Sequence, residues 1–197
     1  MTGGAHRRPP GRVARATSLV VAVGILALAA LITENRPDSM TSQRSFRVEG
    51  RLGTAVQGRD LRATVHRATV ARELRRGEAG EPLSTSGRWI VVDVTIATDV
   101  EPSGIGTADL ELGERTYATR RVRGHDLTGL IVQPGLPRRG LLVFEVPEGA
   151  VDGTAVLALA RSSDPRLDST LAITIDLAEA PVTDLVELTE PVFAAAP

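Results

Sequence analysis

From Phe46 to Leu177 the chain alternates apolar and polar residues with a period of two, the signature of half-buried β-strands. Leu61, Ala63 and Val65 alternate with Arg62 and Thr64. The phase slips at His66-Arg67 before Ala68 and Val70 resume it, which predicts a β-bulge. The strongest strand is Trp89 to Thr98, where Ile90, Val92, Val94 and Ile96 form one face and Asp93 and Thr95 stand on the other. Leu110 and Leu112 lead through Gly113-Glu114 to Tyr117, a hairpin pattern. Pro134-Gly135 marks a turn. Leu142, Phe144 and Val146 alternate up to Pro147, which ends the strand because it has no N–H to offer a ladder. Leu157 and Leu159, then Leu171, Ile173, Ile175 and Leu177, complete the pattern. About seven strands cut by Gly/Pro turns, with no long helical period, predict an all-β sandwich over residues 46–177.

A different pattern precedes it. Residues 16–32, A-T-S-L-V-V-A-V-G-I-L-A-L-A-A-L-I, carry no charge, while Arg7, Arg8, Arg12 and Arg15 all lie before them and the first acid is Glu34. Cationic residues on one side only predict that residues 1–15 stay in the cytoplasm and the bulk of the chain lies outside. As a helix the run reaches about 25 Å at about 1.5 Å per residue, slightly short of a hydrocarbon core of roughly 30 Å. A single-pass transmembrane anchor is the preferred expectation. The alternative is a cleaved signal peptide and a secreted protein, because Ala27-Leu28-Ala29 resembles an A-x-A cleavage site. Residues 33–45 are polar and read as a spacer.

Composition narrows the chemistry. Cysteine is absent, which removes disulfides, thiolate metal sites and thiol nucleophiles. All 23 basic residues are Arg, so no lysine amine is present for Schiff-base chemistry. With the four leading arginines set aside, 19 Arg stand against 24 acids, a balance of about −5. A mildly acidic outer domain argues against nucleic acid as a partner, since phosphate neutralisation needs clustered positive charge.

Catalytic constellations are sparse. Of the three histidines, His6 falls on the cytoplasmic side, leaving His66 and His125 to meet Asp126 or Asp93 if a metal were bound. No H-x-x-H-type spacing supports that. Ser103-Gly104 lacks a G-x-S-x-G elbow, and paired carboxylates are too plentiful for two to stand out. An envelope hydrolase or metalloprotein is therefore a minor expectation, and no cofactor is expected. Asp93 is read as a solvent-facing or hydrogen-bonded residue. Trp89, the single tryptophan, is expected to pack against a sheet edge, with a ligand anchor as the sharper alternative. Arg120, Arg121 and Arg123, near Arg115 and Arg138-Arg139, form the one basic concentration outside; they are either solvated loop residues or a contact for anionic wall polymer or lipid headgroups.

The motifs Gly87-Arg88-Trp89-Ile90-Val91-Val92-Asp93-Val94-Thr95-Ile96, Leu110-Glu111-Leu112 ahead of Tyr117, Pro134-Gly135, and Gly140 through Pro147 together resemble a known family. This is the telokin-like, immunoglobulin-like domain family of secreted and membrane-anchored bacterial proteins, actinobacterial ones among them. Thr98-Asp99 stands where the family often carries Asn after the tryptophan strand. The resemblance implies an immunoglobulin-like β-sandwich outside the cell and brings no catalytic residue with it.

Residues 178–197 hold Glu179, Asp184, Glu187 and Glu190 interleaved with Val182, Leu185, Val186, Leu188, Val192 and Phe193, and no Arg. This acidic, apolar tail is expected to be a mobile terminus or a last strand on its own domain, with docking on a partner as the alternative. Taken together, the sequence predicts a non-enzymatic extracytoplasmic accessory module that contacts a protein in the cell envelope. Wall-polymer or lipid-headgroup binding through the basic loop is the runner-up.

Overall fold

The alternation at residues 89–98 becomes the inner part of β4 (Pro82–Thr98), which pairs antiparallel with β3 (Leu61–Arg76) on one side and β7 (Arg138–Val146) on the other. A computed structural model describes residues 45–164 and 168–197, and the N-terminal segments 1–15 and 16–32, with nearly all of the spacer, lie outside them. β10 (Val182–Leu188) adds to β3 in parallel, and β11 (Val192–Phe193) adds to β7, giving the order β10-β3-β4-β7-β11, with β2 (Ala55–Gln57) also on β3. The opposing sheet runs β1-β9-β8-β5-β6, from β1 (Phe46–Arg51), β5 (Thr107–Leu112), β6 (Arg115–Ala118), β8 (Thr154–Ala160) and β9 (Ser169–Asp176). The fold is a β-sandwich.

Period-two patterning explains the main core. Ile90, Val92, Val94 and Ile96 of β4 meet Leu142 and Phe144 of β7 and, from the facing sheet, Leu110, Leu157, Leu171 and Ile173. With few aromatics available, aliphatic side chains fill the space between the sheets. The phase slip at His66 is a bulge: Val65 opposes Val94, yet Arg67 opposes Asp93, leaving His66 as the extra residue. A second shift lies between Ala71 and Glu73. It lets Ala71 and Leu74, three residues apart, share one face, which strict alternation forbids.

The strand count departs from the sequence reading. Seven expected strands correspond to β3 through β9, and β1, β2, β10 and β11 are additional. These four lie at or near sheet margins and bury few side chains, so they carry little alternation. The segment set apart as a tail supplies β10, whose neighbour β3 lies more than a hundred positions earlier. Among the described residues no helix is long and apolar enough to cross a membrane.

Turn chemistry agrees with the pattern. Leu112 pairs with Arg115 across Gly113-Glu114, and Gly113 takes φ +58°, the left-handed conformation that a two-residue hairpin turn requires. At the end of β4, the buried Asp60 carboxylate accepts from the Asp99 and Val100 N–H groups at 3.0 and 2.8 Å and pairs with Arg161 at 3.0 Å. Burial alone would push this carboxyl up, but those hydrogen bonds outweigh it and hold its pKa below the ordinary carboxylate value. A carboxyl depressed on folding stabilises the fold above its unfolded pKa of about 3.9, and that contribution is lost as pH falls through the folded value. Asp60→Asn is expected to cost about 1–3 kcal/mol near neutral pH, with the gap to the parent protein narrowing below about pH 4. Urea denaturation across a pH series checks this; a gap that stays constant with pH would count against it.

Candidate functional site

On its outer face the six-stranded sheet is also apolar. Trp89 and Val91 of β4, Val143 of β7, Ala71 and Leu74 of β3 and Leu188 of β10 form a second buried cluster, separate from the core between the sheets. Cross-strand rows build it, since Ala71, Trp89 and Glu145 align in one and Thr69, Val91 and Val143 in the next. Trp89 is only 4% exposed, and its indole N–H donates to the Leu83 carbonyl at 3.2 Å. Trp89 therefore packs on the face of a central strand rather than against a sheet edge.

The cover over this cluster is residues 119–130. Arg120 N–H donates to the Val143 carbonyl at 2.6 Å and Leu127 N–H to the Leu141 carbonyl at 3.0 Å, so the segment is bonded along β7. Val122 turns inward and is buried in the second cluster. Asp126, 5% exposed, holds the turn together: it accepts from Val122 N–H, from Thr128 N–H at 2.6 Å and from the Thr128 hydroxyl. Burying an aliphatic side chain such as Val122 contributes about 1.5–3 kcal/mol. That is comparable with the net worth of the bonds fixing the loop, about 0.5–1.5 kcal/mol each.

This arrangement fixes the arginines. With Val122 pointing in, Arg121 and Arg123 on either side of it are exposed. Together with Arg120 and Trp89 they line a hollow of about 360 Å³ whose other walls include Arg76, Leu74, Leu83 and Glu145. All four residues singled out from the sequence thus meet in one place. Arg120 is paired with Glu145 at 3.4 Å, and the Thr85 hydroxyl donates to the same carboxylate at 2.6 Å. Arg121 also lies over Gly129, where φ is +77° and an added Cβ would collide with the guanidinium. An adjoining hollow of about 470 Å³ shares Arg121 and Arg123 and adds Arg138, Glu190 and Asp126.

The remaining arginines of the expected basic concentration do not line the hollow over Trp89. Arg115 lies on β6 of the opposing sheet, Arg139 pairs with Asp93 at 2.6 Å, and Arg138 stacks on Phe193 with its guanidinium carbon 4.1 Å from the ring centre. Asp93 thus has an ion-pair partner on the outer face. The metal alternative finds no assembled ligand set: His66 bonds Thr95 at 2.7 Å, His125 faces the Arg123 carbonyl, and both Asp126 oxygens are engaged by the loop. Among the described residues no group of three or more His, Asp or Glu is placed to hold a metal ion. Sequence reading missed Arg76, which stands at the end of β3 without a neighbouring motif, and the organising part played by Asp126.

The chain matches no protein-family model and no curated protein by sequence. Among solved structures it is similar to an uncharacterized β-sandwich protein from Clostridium difficile, with a TM-score of 0.48 and 10% identity over 72% of this chain and 100% of that one. It is also similar to the yjhA protein from Bacillus subtilis, with a TM-score of 0.45 and 17% identity over 63% and 99% of the two chains. A candidate lipoprotein from Staphylococcus aureus gives a TM-score of 0.44 and 9% identity over 68% and 95%. Each is a likeness of architecture at low identity.

Removing the Asp126 carboxylate leaves buried N–H groups without acceptors and frees Val122 to lift away. Asp126→Ala is expected to cost about 1–3 kcal/mol and to shift Trp89 emission to the red. Equilibrium denaturation followed by tryptophan fluorescence measures both, and unchanged emission with full stability would contradict the role given to Asp126.

Proposed function

We propose that this chain is a non-enzymatic accessory module, telokin-like and immunoglobulin-like in kinship, that works outside the cytoplasm and contacts a protein partner in the cell envelope. The observation that carries the reading is the arginine-lined hollow over Trp89, a fixed and charged concavity on a sheet face. Arginine groups held at a concavity over a packed apolar cluster are typical of protein-contact sites. The four arginines ahead of the uncharged run 16–32 support an outward orientation, anchored by that run or released after cleavage. The slightly acidic balance of the remainder supports a partner other than nucleic acid.

A second reading uses the same side chains. Arg121 and Arg123 have no ion pair among the described residues, and this favours an anionic wall polymer or lipid headgroup as the alternative contact. The two readings differ in what the full-length chain retains from solubilised membranes of the producing cell. The protein-partner reading expects a discrete protein to co-purify, its recovery falling about fivefold or more in Arg121→Ala/Arg123→Ala and unaffected by Arg59→Ala. Recovery of no protein, or recovery indifferent to the arginines, would falsify it.

A further inference from the structure

We propose that the hollow over Trp89 recognises an acidic peptide segment of a partner protein, an extended stretch in which an apolar side chain is flanked by Asp or Glu. This rests on the protein-binding reading above and specifies its chemistry. Charge is the first argument. Several arginines elsewhere are neutralised, as Arg62 is by Asp99 at 2.9 Å, Arg139 by Asp93 at 2.6 Å and Arg161 by Asp60 at 3.0 Å, and those that are not, such as Arg51, Arg59, Arg67 and Arg115, do not line this hollow. Around the hollow, Arg120 and Glu145 cancel one another, while Arg76, Arg121 and Arg123 have no ion-pair partner among the described residues. Three uncompensated guanidiniums facing one concavity call for negative charge from the occupant.

The floor and the rim narrow the occupant further. Partly exposed Leu83, backed by the buried Leu74 and Val122, supplies apolar surface beside the arginines, which a bare phosphate does not use. Beside them, the Pro82–Ser84 part of β4 pairs with β3 on one side, while pairing to β7 begins only at Arg88. That part of β4 has β3 as its one strand neighbour among the described residues, and Leu83 and Ser84 line the hollow. The Leu83 carbonyl is taken by the Trp89 indole and Pro82 has no N–H, so this edge offers an extended chain only part of a ladder, with side chains entering the adjacent pocket. A peptide meets the charge, the apolar floor and the open edge together. A volume of about 360 Å³ suits one such side chain with its flanks.

Trp89 is the chain's single tryptophan and lies in the wall of the hollow, so its emission reports occupancy. The full-length chain in a neutral detergent is titrated with a blocked Glu-Glu-Leu-Glu-Glu peptide at low salt, with calorimetry alongside to register binding that leaves the indole silent. Inorganic phosphate and phosphatidylglycerol vesicles are titrated in parallel. Saturable binding of the peptide is expected, weakened about tenfold by Arg121→Gln/Arg123→Gln and about threefold by Arg76→Gln, suppressed by salt, and unchanged by Arg59→Gln. Circular dichroism confirms that each variant is folded, and Arg76→Gln with Arg123→Gln replaces the pair if loss of Arg121 from Gly129 unsettles the loop. Absence of peptide binding, equal binding by the folded variants, or saturation by phosphate or vesicles instead of peptide overturns the proposal. Arginine-dependent capture of a membrane protein alongside such a failure leaves the protein-binding reading standing and removes only the acidic-peptide chemistry.

Discussion

The organising constraint is that β4 is buried on both faces. Ile90, Val92, Val94 and Ile96 fill the space between the sheets, while Trp89 and Val91 project to the other side. An antiparallel sheet ordinarily presents one face to the core and the other to water. Here the outward face is apolar near β4, and something must cover it. Residues 119–130 and the end of β10 do so, the first through Val122 and the second through Leu188. The segment that covers Trp89 is the segment that carries the arginines. Structural need and surface chemistry are therefore coupled at one place: whatever keeps Val122 in contact with Trp89 also sets where Arg121 and Arg123 point.

The coupling explains why an irregular loop has so regular a hydrogen-bond pattern. A loop over apolar surface must satisfy its own N–H groups, because water is excluded beneath it. Arg120 and Leu127 use carbonyls of β7, and Val122 and Thr128 use the Asp126 carboxylate. An ionised acceptor makes stronger bonds than a neutral one, which suits a turn with no ladder to lean on. Exposed ion pairs such as Arg120–Glu145 add little beside this.

Most of the sandwich was legible in the sequence, and the reason is physical. Strands β3 through β9 bury alternate side chains, so the pattern of Leu61–Val65, Ile90–Ile96 or Leu171–Ile175 records the packing directly. The bulge at His66 was legible for the same reason, since it shifts the phase. The marginal strands were not. β10 owes its place to pairing with β3, and its half-exposed Leu185 and Val186 resemble a free acidic tail when read alone. Of the candidate site, Trp89, Arg120, Arg121 and Arg123 were each visible as an unusual residue or cluster. Their meeting was not, because it depends on Val122 turning inward, on Asp126 accepting from the backbone, and on Arg76 arriving from another strand. A carboxylate bound to main-chain N–H groups leaves no spacing signature, and in the sequence Asp126 stood out only as one conditional companion, with Asp93, of a metal site that no spacing supported.

The account stands on residues 119–130 being a fixed cover over a second core, and amide hydrogen exchange examines that residue by residue. The amides of Arg120, Val122, Leu127 and Thr128 should exchange slowly, with protection approaching that of β4, while the turn amide of Gly124 between them exchanges quickly. Exchange of all five at the rate of an open loop would contradict the account, because a cover that opens freely can neither bury Trp89 nor hold the arginines in place.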